Sequence, residues 1–173
     1  MNKKSVVLFG DSGLGRFNRD RIRKLEEIAG NVDVYNCAVG GLNSRDALEK
    51  ADFIAGLKAD YVVFSLPGND FNEIPMDETK QNLKKILEIF KDSKIIMVIY
   101  PEAGESFKEE SDFNGKMDEY GRLIKKLSEH YDIKIVDCPK IFANIKDYHE
   151  DDGIHLNDYG YEVLSEEIAR KIL

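Results

Sequence analysis

Long apolar segments are missing from this 173-residue chain. No stretch approaches the ~20 consecutive apolar residues of a membrane span, so we expect no stable membrane association. The apolar run Val6–Phe9 follows two lysines, as in an export signal, but it is too short for one and no small-residue cleavage site follows it. We interpret this run as a first β-strand.

Cysteine and clustered positive charge are also scarce. Cys37 and Cys138 lie far apart, without the spacing of a metal or redox motif, which favours reduced thiols and a cytoplasmic location. The formal net charge is −8 and the lysines are scattered along the chain, whereas binding to nucleic acid needs clustered cations. We therefore expect no nucleic-acid partner. The sequence gives no indication of the oligomeric state.

The residues that are present are typical of an ordinary soluble protein. Hydrophobic residues make up 42% of the chain and charged residues 34%, with no low-complexity tract, a balance that is typical of globular proteins. The length suits one domain with a substantial core and is short for two. We therefore predict a single domain over residues 1–173.

Strand-like runs alternate with segments of helical period. The predicted strands are Ser5–Phe9, Val32–Tyr35, Tyr61–Leu66, Lys94–Tyr100 and Ile133–Val136. Residues at helical spacing predict helices over Ile22–Ile28, from Ser44 as a cap to near Leu57, over Leu83–Phe90, over Phe113–Tyr131, and from Asn157 or Asp158 to Ile172. This alternation predicts an α/β fold, a flavodoxin-like three-layer α/β/α sandwich with a five-stranded parallel sheet.

Polar and glycine-rich segments follow several of the predicted strands. They are Gly10-Asp11-Ser12 after the first strand, NCAVGGLNS (36–44) after the second, PGND (67–70) after the third, and DDGIHLN (151–157) before the last helix. In open α/β sheets the ligand lies beyond the carboxyl ends of the strands. We therefore expect these segments to meet at one edge of the sheet.

Ser12 alone allows three interpretations: a nucleophile, a hydroxyl in a phosphate-binding loop, or the cap of a helix. A serine nucleophile needs a base, and histidine is the usual base near neutral pH. His155 follows Asp152 by three residues on a turn that Gly153 permits, so that carboxylate can orient the imidazole. These residues allow a Ser12–His155–Asp152 catalytic triad, although His155 taken alone is more typical of a loop histidine near a helix start, and Asp152 of a solvated acidic run.

A reaction at an acyl carbonyl also needs donors for the developing oxyanion. The sequence offers the Ser12 N–H, a backbone N–H at Gly40 or Gly41, and the side-chain amide of Asn69. Asp11, Asn36 and Asp70 are interpreted as braces of these loops.

Taken together, the four segments resemble the sequence blocks of the SGNH, or GDSL-like, hydrolases. Gly10-Asp11-Ser12 resembles their first block, NCAVGG the second, PGND the third and DGIH the last, in the family's order. The resemblance implies that Gly41, rather than Gly40, lies in the oxyanion hole. It also implies a three-layer α/β/α fold and hydrolysis of esters or thioesters through an acyl-serine intermediate, without a metal or organic cofactor. Pro67 and Ala38 depart from the family's pattern, where glycine is common.

Other serine-hydrolase scaffolds fit less well. A trypsin-like protease is built from β-barrels and its serine comes last in chain order, whereas Ser12 comes first here. The nucleophile elbow of α/β-hydrolases needs glycine two residues on either side of the serine, and Leu14 occupies the second of these positions.

Two non-hydrolytic alternatives remain open. Ser12, Gly13 and Gly15 could cradle a phosphate in a flavodoxin-like nucleotide- or phosphate-binding module, although there is no P-loop lysine and no GxGxxG. An acidic loop could also attract a divalent ion, but its spacing matches no strong signature; its residues are Asp147, His149, Asp151, Asp152 and His155. For the hydrolase, the polar loops at 101–113 and before Asp151 favour a small acyl ester as substrate, such as an acetylated sugar, and a thioester or a lysophospholipid stays open as an alternative.

Overall fold

The computed structural model describes residues 2–66, 68–71, 73–107 and 112–173, so Pro67 lies outside the described residues. Apolar β-forming runs build one parallel sheet in the order β2-β1-β3-β4-β5. The strands are β1 (Lys4–Gly10), β2 (Val32–Asn36), β3 (Tyr61–Ser65), β4 (Lys94–Ile99) and β5 (Ile133–Asp137). The predicted flavodoxin-like arrangement, with five parallel strands, is confirmed.

Helices follow the strands along the chain. They are α1 (Ser12–Gly15), α2 (Arg19–Ala29), α3 (Ser44–Ala55), α4 (Met76–Ile89), α5 (Phe113–Leu127), α6 (Cys138–Phe142) and α7 (Asp158–Ile172). Several boundaries differ from the prediction; for example, α2 and α4 begin earlier, at Arg19 and Met76. Asn43, not Ser44, caps α3 by accepting the N–H of Asp46, and α5 ends before Tyr131. The short helix α6 follows directly on β5 and was not predicted.

Alternation along the strands divides the core between the two faces of the sheet. Val6 and Leu8 of β1 belong to the cluster that packs against α2 and α7. Val7 and Phe9 belong to the cluster that packs against α3, α4 and most of α5. Helices therefore cover both faces, which gives the three layers.

Two further features concern the cysteines and the helices. Cys37 and Cys138 are both free thiols. None of the helices in the described part of the chain has the length and apolar character that a membrane span requires.

Candidate active site

The segment at the end of β1 presents Ser12 on a tight turn. Gly10 has φ +148°, and a Cβ there would lie 2.0 Å from the carbonyl oxygen of Ser65, so only glycine fits. Asp11 caps α1, since its Oδ1 accepts the N–H of Gly13 at 3.0 Å. Ser12 is thus the first residue of α1 rather than its cap, and its hydroxyl is not used in capping.

The Ser12 hydroxyl contacts His155, so the structure brings the segment after β1 and the segment before α7 together. Ser12 Oγ lies 3.0 Å from His155 Nε2, although the residues are 143 positions apart. His155 Nδ1 lies 2.6 Å from Asp152 Oδ2. A hydroxyl, an imidazole and a carboxylate are therefore joined in one hydrogen-bonded chain, the arrangement in which an imidazole can take a proton from serine while the carboxylate fixes its tautomer.

The turn that carries Asp152 and His155 holds this carboxylate in place. Asp152 Oδ1 accepts the backbone N–H groups of Ile154 (3.0 Å) and His155 (2.9 Å). Gly153 has φ +71°, a conformation that favours glycine. Partial burial alone would raise the pKa of Asp152, but the hydrogen bonds from His155 and Ile154 outweigh it and lower this pKa to about 2. Asp152 is therefore ionised at any physiological pH.

Asp11 is a second carboxylate near Ser12, and its environment is the opposite of that around Asp152. Its side chain is 4% exposed. Burial, and to a smaller extent the Asp70 carboxylate, raises the pKa of Asp11, whereas the hydrogen bond from the Gly13 N–H lowers it; the net result is a pKa of about 7. Asp11 Oδ2 lies 3.4 Å from Nδ2 of Asn69. Asp11 thus links the start of α1 to the loop after β3.

The three predicted oxyanion donors lie on three different loops. The Ser12 N–H begins α1, where no intrahelical acceptor exists. Gly41 has φ +78°, and its N–H has no acceptor among the described residues. The Asn69 amide donates to the carbonyl of Leu42 at 3.1 Å as well as facing Asp11. The amide is therefore held in a fixed orientation, and it joins the loop after β3 to the Gly41 loop.

Asn36, at the end of β2, braces the segment around Ser12. Its Nδ2 donates to the carbonyls of Leu14 (3.0 Å) and Phe17 (3.1 Å). Its Oδ1 accepts the N–H of Ala38 at 3.0 Å, so one side chain fixes both the end of α1 and the start of the Gly41 loop.

Asp70 braces the helices behind the site. Its Oδ1 accepts the N–H of Ser44 at 2.7 Å, and its Oδ2 accepts the Thr79 hydroxyl at 2.6 Å. The carboxylate is 2% exposed. It connects the first residue of α3 with the first turn of α4, and it follows Asn69 directly in the chain.

The predicted alternative metal ligands do not gather as a set. Among the described residues, the acidic and histidine ligand atoms that lie within 4.8 Å of one another belong to Glu150, Asp152 and His155, which leaves out Asp147, His149 and Asp151. Arg16 already pairs with this group: its guanidinium reaches Glu150 Oε2 at 2.5 Å and Asp152 Oδ2 at 3.9 Å. An internal cation therefore compensates the negative charge here.

Arg16 and Glu150 were not predicted as site residues. Arg16 lies four residues after Ser12, whereas Glu150 lies just before the Asp152–His155 turn. Both are charged, partly exposed side chains, and such residues leave no periodic or motif signal in a sequence.

Comparison with known proteins identifies the family and supports the fold. A model of the GDSL-like lipase/acylhydrolase family matches residues 8–163. The lipase/acylhydrolase from Enterococcus faecalis has a similar structure, with a TM-score of 0.88 at 22% identity over 98% of this chain and 95% of that chain. No curated protein sequence matches the chain.

Two family 3 carbohydrate esterases also share the fold. The enzyme from Talaromyces cellulolyticus has a TM-score of 0.79 at 20% identity, over 98% of this chain and 96% of that chain. The one from Clostridium thermocellum has a TM-score of 0.71 at 13% identity, over 99% of each chain. At such identities these structures establish the fold alone. The family match over most of the chain goes further: this protein belongs to the GDSL-like lipase/acylhydrolase family of ester hydrolases.

Proposed function

We propose that this protein is a serine esterase that works through an acyl-serine intermediate, with Ser12 as nucleophile, His155 as general base and acid, and Asp152 as the residue that orients His155. The observation that carries the proposal is the hydrogen-bonded chain from Ser12 Oγ to His155 Nε2 (3.0 Å) and from His155 Nδ1 to Asp152 Oδ2 (2.6 Å). Nucleophile and base lie within the reach that proton transfer requires.

The first half of the reaction acylates the serine. Ser12 Oγ forms a bond to the ester carbonyl carbon while its proton passes to His155 Nε2. The imidazolium is stabilised by Asp152, which the low pKa of about 2 keeps ionised. The tetrahedral intermediate then collapses, the bond to the leaving alcohol breaks, and His155 donates its proton to that alcohol.

The second half repeats these steps with water. His155 removes a proton from water as the water oxygen attacks the acyl carbon, and Ser12 leaves with the proton that His155 returns. Both tetrahedral intermediates carry a negative oxygen. We assign its stabilisation to the N–H groups of Ser12 and Gly41, which have no acceptor among the described residues, and to the Asn69 amide, which would exchange its long 3.4 Å contact with Asp11 for the oxyanion.

The proposed substrate is a small acyl ester, with an acetylated sugar as the first candidate. The similarity to two family 3 carbohydrate esterases supports this class. The described exposed side chains in the loop after β4 and around Asp151 are mostly polar, and this favours a hydroxylated leaving group over a broad lipid surface. We also propose a cytoplasmic location, since both cysteines are free thiols and reduced cysteines persist in that compartment.

The phosphate-binding alternative is disfavoured by the local electrostatics at α1. The Asp11 carboxyl accepts the Gly13 N–H, which is one of the donors that a phosphate at this helix terminus would need. A phosphate would have to displace or face a buried carboxyl group. We therefore retain the hydrolase as the proposed function.

A fluorophosphonate probe tests the proposal directly, because it reacts with an activated serine and stays attached. We expect an adduct on Ser12, loss of labelling in Ser12→Ala, and full labelling in Ser128→Ala, whose serine lies at the far end of α5. An ester series with acyl chains of increasing length then tests the substrate class, and we expect the acetyl ester to give the highest kcat/KM. Absence of a Ser12 adduct, or full ester hydrolysis by Ser12→Ala, would contradict the mechanism.

A further inference from the structure

Arg16 joins the segment of the nucleophile to the turn that carries the proposed base. Its Nη1 donates to Glu150 Oε2 at 2.5 Å, and its Nη2 lies 3.9 Å from Asp152 Oδ2. That carboxylate oxygen is the one that contacts His155 Nδ1. Asp152 Oδ2 is therefore close to two positively polarised groups, the imidazole N–H of His155 and the guanidinium of Arg16.

The backbone of Arg16 is fixed to α1. Its N–H donates to the carbonyl of Ser12 at 3.0 Å, and its own carbonyl accepts Nη1 of Arg21 at 2.8 Å. Arg21 in turn is paired with Asp158 at the start of α7. The Arg16 side chain is therefore attached to the nucleophile's own helix rather than to a mobile surface segment.

Glu150 is fixed equally well to the other half of the site. Its N–H donates to the carbonyl of His155 at 2.7 Å, and its carbonyl accepts the N–H of Gly153 at 3.0 Å. These two bonds close the turn on which Asp152 and His155 lie. The position of the Glu150 side chain is thus coupled to the position of the whole turn.

We propose that Arg16 is a positioning residue which, with Glu150 as its counter-ion, holds the Asp152–His155 turn against the nucleophile helix and balances the carboxylates that face His155. The proposal rests on the function proposed above, since it assigns no chemistry of its own to Arg16. It extends that function by adding Arg16 and Glu150 to the three triad residues, as residues on which the efficiency of His155 as a base depends.

The charges around His155 make the proposal testable. In the described part of the chain, the charged groups that face it are Asp152 and Glu150 on its own turn and Arg16 from the end of α1, while the Asp11 carboxyl accepts the N–H of Gly13. Removing Arg16 leaves two carboxylates that favour the imidazolium, whereas removing Glu150 leaves a guanidinium that disfavours it. The two removals therefore change the electrostatic potential at the His155 ring in opposite directions.

The experiment is a double-mutant cycle with kcat/KM measured against pH for the wild type, Arg16→Gln, Glu150→Gln and the double variant. The acid limb of this profile reports protonation of the essential base in the free enzyme. We expect Arg16→Gln to move the limb up by about half a unit to one unit and Glu150→Gln to move it down by a smaller amount. The double variant should return close to the wild-type midpoint.

The cycle also separates positioning from charge. Loss of Arg16 should lower kcat several-fold even at a pH above the acid limb, with KM almost unchanged, because the turn loses its attachment to α1. Arg16→Lys keeps the charge, so it should keep the wild-type acid limb and recover part of kcat. It also serves as the informative variant if Arg16→Gln fails to fold.

Arg23→Gln is the matched control, because Arg23 is an exposed residue of α2 that pairs with Asp20 and its loss changes the net charge equally. It should leave the profile unchanged. Acid limbs that move in the same direction, or not at all, in Arg16→Gln and Glu150→Gln would overturn the role of Arg16 while Ser12 still reacts with the fluorophosphonate probe. A wild type that gives no Ser12 adduct would instead overturn the proposed function, and this inference with it.

Discussion

The Asp11 carboxylate lies 3.4 Å from the side-chain amide nitrogen of Asn69, and both groups are shielded from solvent to a large extent. The residue before the proposed nucleophile is thus in contact with a proposed oxyanion donor on another strand's loop. The same amide donates to the Leu42 carbonyl at 3.1 Å. Three loops are coupled through one amide, so its loss affects both the chemistry and the packing of the site.

Asn69→Ala is expected to lower kcat by about 10²-fold to 10³-fold, the range found when one oxyanion donor is removed. KM should change little, because the donor acts most strongly on the transition state. Steady-state kinetics on an acetyl ester measure both. Asn144→Ala, at an exposed position after α6, is the control and should retain wild-type rates. A loss confined to KM would argue against Asn69 as an oxyanion donor.

Asp11→Asn is expected to change how stability depends on pH. Burial raises the pKa of Asp11 to about 7 in the folded protein, whereas an unfolded aspartate has a pKa near 3.9. The folded state therefore binds the proton more tightly, and the free energy of unfolding falls as pH rises from about 4 to about 7. This contribution amounts to at most about 4 kcal/mol, and the Asn variant lacks it.

Urea unfolding of both proteins at a series of pH values measures this difference. The stability of Asp11→Asn relative to wild type should increase steadily between pH 5 and pH 7 and then level off. Asp52→Asn, at an exposed position on α3, controls for the loss of a surface charge. A difference that does not vary with pH would show that Asp11 is not the titrating group.

Gly10 and Gly41 are expected to respond differently to alanine, although both have positive φ. At Gly10 a Cβ would lie 2.0 Å from a backbone oxygen, whereas at Gly41 it would meet no atom within 4 Å. Gly10→Ala should therefore destabilise the protein by about 3 kcal/mol or more. Gly41→Ala should cost only about 1–2 kcal/mol, but kcat should fall about tenfold or more as its N–H turns away from the oxyanion. Thermal unfolding and kinetics on the pair check both statements.

Much of the fold follows from the order of apolar runs along the chain. The run Tyr61–Leu66 is buried on both faces, so its hydrophobic character alone indicates a central strand. The sequence does not predict helix α6, because its five residues are too few to show a helical period of apolar residues. The cap of α3 was placed one residue late because Asn43 and Ser44 are both good capping residues, and only the observed bond to Asp46 distinguishes them.

The contacts among Ser12, His155 and Asp152 could be predicted because chemistry restricts the residue types there. A serine after a first strand, and a histidine three residues after an aspartate, stand out because few other residues can do the same work. The Arg16–Glu150 pair could not be foreseen, since the two residues lie 134 positions apart and many charged residues surround each of them in the sequence. An exposed ion pair forms only where the fold brings two surface segments together, and a pattern in the sequence does not show which segments these are.

Asp152→Asn is expected to lower kcat by about 10³-fold to 10⁴-fold at neutral pH, because an amide cannot fix the imidazole tautomer or stabilise the imidazolium. Asp92→Asn, at an exposed position after α4, is the matched control and should keep wild-type activity.

The lowered pKa of Asp152, about 2, also predicts that this carboxylate affects how protein stability depends on pH. A carboxyl group with a depressed folded-state pKa stabilises the protein above its unfolded pKa of about 3.9, and the contribution disappears as pH falls toward 2. The stability difference between wild type and Asp152→Asn should thus be constant above about pH 5 and shrink below about pH 4. A difference that grows on acidification would contradict an ionised, hydrogen-bonded Asp152.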